Sequence, residues 1–254
     1  MCGKLSAVIE ADFPLYMVVD EDSGDVLLAA EEVDGFFVSQ EQGSPEVVFR
    51  GVHSLDKGRR RTEDANLQIL SRESGKIGEY FIGRVALGDT VVKSSDGKIS
   101  SVSCYVFDNR CEYPEAARIW RRWALGPAVE EGEWIQLSTG CLDAWLHVVQ
   151  NSWFVLNSDA ACRGSDKVAD LDGTYITTSQ KFFCALGEAV NGPGGYFGSN
   201  LDALADCIHS SLDRGVSLRI IWRNYKLSRE SLDHYFLDSV TAIMREFGID
   251  FTAC

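Results

Sequence analysis

The sequence lacks the features of secreted and membrane proteins. None of its 254 residues lies in an uncharged apolar run that approaches the roughly 18 residues needed to cross a bilayer. The N-terminus does not have the pattern of a signal peptide, because Lys4 supplies one positive charge and Glu10 and Asp12 interrupt the apolar run that follows. We therefore expect no membrane partner and a cytoplasmic location.

Cysteine spacing also gives no sign of a disulfide framework or a metal site. The chain has eight cysteines, but no C-x-x-C pair that would suggest zinc. Cys104, Cys184 and Cys207 stand inside apolar stretches. We expect the cysteines to be reduced and mostly buried, as in a cytosolic protein, and we expect no metal and no cofactor.

Basic residues are scarce. The 24 lysines and arginines are outnumbered by 38 aspartates and glutamates, which gives a formal net charge of −14. Proteins that bind nucleic acid carry a basic face to neutralise phosphates, so we expect no nucleic-acid partner. An acidic protein suits a basic partner, because the electrostatic field speeds their encounter, although the charge also serves solubility alone.

Common catalytic motifs are missing as well. The chain has no P-loop, GxGxxG, GxSxG or HExxH pattern. Asp143 and His147 stand four residues apart on a predicted helix, a spacing that suits a metal or a general base, but no second ligand pair or nucleophile motif accompanies them. We expect no catalytic residues, and an enzyme within residues 1–167 remains an alternative.

The chain up to about Val106 alternates short β-like runs with turns such as Asp22–Asp25 and Asp96–Gly97. Regular short strands of this kind predict an antiparallel β-domain. The candidate strands are Ala7–Ile9, Tyr16–Val19, Val26–Ala30, Phe36–Val38, Val47–Phe49, Leu67–Leu70, Tyr80–Leu87 and Val102–Phe107.

Two helical patterns follow the strands. Pro114–Trp123 begins with a proline and an early acid, as helices do, and Ser138–Val149 has apolar residues at helical spacing. Asn157–Lys167 contains little bulk and is the candidate linker. We therefore expect residues 1–160 to form a β-rich α+β domain of unknown role.

The remainder of the chain alternates strands and helices in the order β-α-α-β-α-β. The strands are Lys167–Leu171, Val216–Trp222 and Ile249–Thr252. The helices begin at Thr178 or Ser179, at about Ser199, and at Ser228, the last being one long helix to Phe247. This order predicts an α/β domain over residues 168–254, with helices packed on a small parallel sheet.

The helix from Ser199 to Leu212 has two distinct faces. Leu201, Leu204, Ile208 and Leu212 recur at the spacing of an apolar face. A second face carries Asp202, Asp206, His209 and Asp213. Aspartates one turn apart repel each other, so this acidic ridge suits a cationic pocket better than a plain solvated helix does. Gly198 permits a positive φ before the helix, Asn200 can cap it, and Cys207 is expected to be buried.

The segment Tyr196–Cys207 reads YFGSNLDALADC and resembles the signature of the barstar family. In that family an aromatic pair, Gly, a small or acidic residue, Asn, Leu, Asp, Ala, Leu, any residue, Asp and Cys follow in this order. Asp172–Gly173, Trp222–Arg223 and Met244–Glu246 also stand where the family has equivalents. The resemblance covers residues 168–254 and implies a barstar-like fold and an inhibitor rather than an enzyme.

The resemblance also implies a binding site. In barstar-like inhibitors this helix and the loop before it plug the active site of a secreted, barnase-like ribonuclease, which is a basic protein. The aspartate matching Asp206 takes the place of a substrate phosphate, Tyr196 stacks in the cleft, and Ala205 departs from the family's bulky aromatic residue. The partner-binding residues implied are Gly194, Gly195, Tyr196, Asp202, Ala205, Asp206, His209 and Glu246.

Two functions follow from this reading. The first is an intracellular inhibitor of the immunity or antitoxin type, which protects its own cell from a barnase-like ribonuclease. The alternative is an adaptor or sensor that uses the barstar-like domain to dock a partner other than a ribonuclease. The sequence leaves the target and the role of residues 1–167 open.

Overall fold

The structure is a computed structural model that describes residues 12–39, 45–73, 75–95, 97–157, 162 and 166–254. The chain divides into two compact units after Pro127. The predicted strand Ala7–Ile9 and most of the predicted linker Asn157–Lys167 lie outside the described residues. Among the described residues, no helix has the length and apolar character needed to cross a membrane.

The first unit is a closed barrel of six antiparallel strands. The strands are β1 (Tyr16–Asp20), β2 (Val26–Asp34), β3 (Glu46–Leu55), β4 (Arg61–Leu70), β5 (Lys76–Lys93) and β6 (Ile99–Val106). The barrel closes because β1 pairs with β2 on one side and with β4 on the other. The antiparallel β-domain expected from the short strands is therefore present. The predicted strand Phe36–Val38 does not form. In its place the structure has an isolated β-bridge between Phe37 and Cys111.

Apolar side chains from neighbouring strands form the core of the barrel. Val18 pairs with Leu28 on one side and with Leu67 on the other, and all three are fully buried. Helix α1 (Ala116–Leu125) packs on β5 through Trp120. A side chain at Gly78 would have its Cβ 2.5 Å from the Trp120 ring, so only glycine allows this close approach.

The second unit has a three-stranded parallel sheet with helices packed against it. Its elements are a 3-10 helix (Glu133–Gln136), α2 (Thr139–Asn157), β7 (Asp166–Asp172), α3 (Ser179–Asn191), α4 (Leu201–Asp213), β8 (Ser217–Arg223), α5 (Tyr225–Ser231), α6 (His234–Glu246) and β9 (Asp250–Ala253). The strand order is β7-β8-β9, so β8 is central, and both of its pairings are parallel. The predicted small parallel sheet is therefore present.

Trp222 is at the centre of this sheet, as expected for a core residue. It is fully buried, and its ring centroid lies 5.0 Å from that of Phe182 on α3. The indole N–H donates to Ser228 Oγ at 3.1 Å, and Ser228 in turn donates to the carbonyl of Gly173 at 3.0 Å. The buried polar groups of this core therefore satisfy each other.

The prediction of one long helix from Ser228 is wrong. Two helices, α5 and α6, occupy this stretch, and the chain is extended at Leu232 and Asp233 between them. The Asp233 side chain accepts a hydrogen bond from the N–H of Phe236 at 3.1 Å. Asp233 is thus the N-cap of a new helix, and such a local side-chain bond competes with continuation of the preceding one.

The residues before the sheet are part of the second unit. Helix α2 runs past its predicted end at Val149 to Asn157 and packs against α3. Glu188 on α3 accepts hydrogen bonds from the indole N–H of Trp134 at 2.8 Å and from the N–H of Gly132 at 3.0 Å. The predicted domain boundary, between residues 160 and 168, stays a prediction. In the structure, the division between the two compact units comes after Pro127.

The expectation that all cysteines are reduced needs one correction. Cys141 is disulfide-bonded. Such a bond depends on the distance between β-carbons in the fold, which spacing along the sequence does not reveal. The buried free thiols are Cys104, Cys111, Cys162, Cys184 and Cys207, and Cys254 is free and exposed. Burial raises the pKa of Cys104 and of Cys207 to about 12, which keeps both thiols protonated at neutral pH.

Candidate partner-binding site

Local signals fix the start of α4. Asn200 caps the helix by accepting a hydrogen bond from the N–H of Ala203 at 2.8 Å, and Asp202 lies in the first turn, where the helix dipole favours a negative charge. Gly198 has a φ of +94°, and a Cβ at this position would lie 2.9 Å from the backbone nitrogen of Leu204. Both expectations, a cap at Asn200 and a positive φ at Gly198, are confirmed.

Helix α4 separates a buried face from an exposed face. The buried residues are Leu204, Cys207, Ile208 and Ser211. The exposed residues include Asp202, Asp206, His209 and Asp213. Leu212, expected on the apolar face, is 38% exposed, because it lies in the last turn before the helix ends at Asp213.

The exposed face carries an unbalanced negative charge. Helix α4 contains three aspartates and no lysine or arginine. Asp202 and Asp206 are one helical turn apart, where like charges repel by a few tenths of a kcal/mol. His209 Nδ1 lies 3.2 Å from Asp213 Oδ2, and both side chains are largely exposed. A cation placed between Asp202 and Asp206 would relieve their repulsion and form charge-assisted hydrogen bonds.

The loop before α4 is packed tightly against α3. Gly195 is buried, and a Cβ at Gly187 of α3 would lie 2.3 Å from the Gly195 carbonyl oxygen. Asn191 donates a hydrogen bond from its side-chain amide to the carbonyl of Tyr196 at 2.8 Å. Gly194 is half-buried with a φ of +68°. Of the two glycines predicted in the contact loop, only Gly194 therefore has partial access to solvent.

Tyr196, which we expected to be exposed, is only 2% exposed. The correction has a clear cause: the ring of Phe154 on α2 lies 5.7 Å from the Tyr196 ring, centroid to centroid. Burial raises the pKa of the phenol, a hydrogen bond with Ser199 lowers it, and the negative charge of Asp206 raises it.

The remaining predicted residues lie on or beside α4. Ala205 is half-buried on the helix, between its two faces. Glu246 is exposed at the last residue of α6. The next residue, Phe247, has its ring centroid 6.3 Å from that of His209 on α4. The end of α6 therefore lies beside α4 at His209, and Glu246 is exposed one residue before that contact.

The alternative catalytic pair lies elsewhere, on α2. Burial lowers the pKa of His147 to about 4, so its imidazole is neutral at pH 7. Among the described residues, no group of three or more histidine, cysteine, aspartate or glutamate side chains could hold a metal ion. Asp143 and His147 therefore have no further ligand beside them in the described part of the chain.

Sequence reasoning missed two residues that contact the loop before α4. Phe154 and Gln150 are both on α2, and Gln150 Oε1 lies 3.4 Å from Ser199 Oγ. The predicted helix ends at Val149, although Trp153 follows at the four-residue spacing of the same apolar face and is 5% exposed. That spacing is the signal that could have extended the helix as far as Phe154.

Comparison with known proteins identifies the family of the C-terminal part of the chain. A family model described as Barstar (barnase inhibitor) matches residues 167–252, a span that includes α3 to α6 and every predicted partner-binding residue. No curated protein matches the chain significantly. The 3-10 helix, α2 and the barrel lie outside the matched residues. The resemblance seen in the sequence is confirmed: residues 167–252 form a domain of the barstar family, the family of the barnase inhibitor.

Proposed function

We propose that this protein inhibits a barnase-like secreted ribonuclease by placing the acidic face of α4 in the active site of that enzyme. One observation carries the proposal. Asp202 and Asp206 are exposed on the same face of a helix that has no cation of its own, within a domain of the barstar family.

The chemistry of a ribonuclease suits this face. An enzyme that cleaves RNA must hold phosphate, and arginine, lysine and protonated histidine side chains do so in a site shielded from water. The carboxylate of Asp206 can accept the same hydrogen bonds as a phosphate oxygen. Asp202, one turn earlier, offers a second carboxylate to the same cluster of cations. The inhibitor would therefore occupy the position of the substrate backbone.

The charge of the whole chain supports rapid association. A net charge of −14 creates a field that attracts a basic enzyme, and salt screens that attraction. We expect the association rate to fall as ionic strength rises. The dissociation rate depends more on the contacts of Asp202 and Asp206 than on the long-range field.

The other predicted contacts belong to this proposal. We propose that Gly194, His209 and Glu246, which are at least partly accessible to solvent, extend the contact surface around Asp206, and that Ala205 leaves room where the family has an aromatic side chain. The roles in immunity and the cytoplasmic location remain predictions. Among the predicted contacts, Tyr196 and Gly195 are the exceptions, because both residues are buried in the free protein.

The test is inhibition of a barnase-like, guanyl-specific ribonuclease by the full chain and by Asp206→Ala. Truncation of Asp206 leaves cations of the enzyme buried without a partner, so we expect the inhibition constant to rise by on the order of a hundredfold or more. Asp238→Ala, the same substitution at an exposed aspartate of α6, is the matched control.

Equal inhibition by Asp206→Ala and wild type would place the contact elsewhere on the domain. Failure of the wild-type chain to inhibit any such ribonuclease would contradict the proposal and favour docking to another class of partner.

A further inference from the structure

The helix α2 contributes an aromatic side chain to the candidate site from outside the family domain. Phe154 contacts Tyr196, with 5.7 Å between ring centroids and 54° between the ring planes. Gln150, one turn earlier on the same side of α2, lies against Ser199. Two contacts one turn apart therefore hold α2 along the loop that leads into α4.

This helix is a permanent part of the unit and not a removable cover. Its buried apolar residues are Cys141, Leu142, Ala144, Trp145, Leu146, Val148, Val149 and Trp153. Lifting α2 from Tyr196 would expose two tryptophans and several aliphatic side chains to water, which the hydrophobic effect opposes strongly. Tyr196 consequently stays covered, and a partner meets α2 in its place.

Phe154 is well placed to make that contact. Its side chain is 43% exposed, although it packs on Tyr196 from one side. Tyr196 stands four residues before Asn200, the N-cap of α4, so Phe154 packs beside the start of the helix that carries Asp202 and Asp206. Exposed aromatic side chains are enriched at protein interfaces relative to the rest of the surface.

We propose that Phe154 provides the aromatic contact expected of Tyr196, so that the partner binds a composite surface of Phe154 from α2 and Asp202 and Asp206 from α4. The inference rests on the proposed function, and the occupant is the same basic ribonuclease. The face of the Phe154 ring suits a lysine or arginine side chain at the rim of its cationic cleft, since a cation is attracted to an aromatic face. Tyr196 supports the ring from beneath and does not contact the partner.

The test compares inhibition constants of full-length variants against the same ribonuclease. Phe154→Ala removes an exposed ring and should weaken inhibition about tenfold. Phe81→Ala is the matched control, because Phe81 on β5 is a phenylalanine of similar exposure, 48%. Thermal unfolding of each variant shows that the fold is retained.

A second variant at Phe154 distinguishes loss of a contact with the partner from a change in the structure of this protein. Phe154→Lys keeps a long side chain on an exposed position but places a cation opposite a cationic cleft, so it should weaken inhibition more than Phe154→Ala does. Unchanged inhibition by Phe154→Ala, together with loss of inhibition in Asp206→Ala, would overturn this inference and leave the proposed function intact. Tighter inhibition by Phe154→Ala would show that α2 shields Tyr196 and would also overturn it. Failure of the wild-type chain to inhibit would overturn both.

Discussion

Glu188 on α3 forms hydrogen bonds with the residues before α2, and replacing Glu188 by alanine should destabilise the second unit. Its carboxylate accepts hydrogen bonds from the indole N–H of Trp134 and from the N–H of Gly132. Trp134 is only 4% exposed, so in Glu188→Ala its N–H loses its partner without access to water. A buried donor left unsatisfied costs about 1–3 kcal/mol, and loss of the more accessible bond to Gly132 adds about 1 kcal/mol. The substitution also removes the cost of burying the carboxylate, which offsets part of this loss. The net decrease in the free energy of unfolding is therefore about 2–3 kcal/mol.

Glu188→Gln is the matched variant, because it keeps one acceptor oxygen and removes the charge. Burial raises the pKa of Glu188 above its usual value of 4.5, while the bonds from Trp134 and Gly132 lower it. The folded state therefore holds the proton more tightly than the unfolded state. The stabilisation that comes from this tighter proton binding by Glu188 is fully present below pH 4.5 and is lost as the pH rises through the pKa of the folded state. Wild type should thus lose stability relative to Glu188→Gln as the pH rises from 4 to 7.

The assay is urea unfolding of the full chain followed by tryptophan fluorescence, at both pH values. A change in the free energy of unfolding below about 0.5 kcal/mol for Glu188→Ala would refute the reasoning. It would mean that the hydrogen bonds to Trp134 and Gly132 do not hold this segment in solution.

Two further predictions concern α4 and α2. Asn200→Ala removes the N-cap of α4 and should lower the free energy of unfolding by about 1 kcal/mol. Asn200→Asp keeps an acceptor oxygen and should lower it less. Equal urea midpoints for the two variants would contradict this prediction. Because burial lowers the pKa of His147 to about 4, the unfolded state binds this proton first, and stability should fall by at most about 3 kcal/mol as the pH drops from 6.5 to 4. Urea unfolding of His147→Gln should show a smaller loss over the same pH range, and an equal loss would assign the effect to other groups.

Features that depend on neighbouring residues were predictable from the sequence. The cap at Asn200, the positive φ of Gly198 and the exposure of Asp202 and Asp206 all follow from residue types within one or two helical turns. The parallel sheet followed from the alternation of strands and helices. The break at Asp233 is also local, but the apolar spacing continues across it and conceals the new N-cap.

Features that depend on distant contacts were not predictable. Closure of the barrel requires β1 to pair with β4, and the 18-residue β5 extends beyond both ends of the predicted strand Tyr80–Leu87. The burial of Tyr196 depends on Phe154, which lies on a helix outside the family domain. The motif around Tyr196 is intact, yet the surface it presents is changed by a neighbour that the motif does not include.

The central claim is that α4 occupies the active site of a ribonuclease, and the kinetic mode of inhibition tests it most directly. Initial rates of RNA cleavage, measured over a range of RNA concentrations at several fixed concentrations of this protein, separate the possibilities. If Asp202 and Asp206 take the place of substrate phosphates, the apparent KM rises with inhibitor while kcat stays constant. A fall in kcat at constant KM, or no inhibition at any concentration, would contradict the claim.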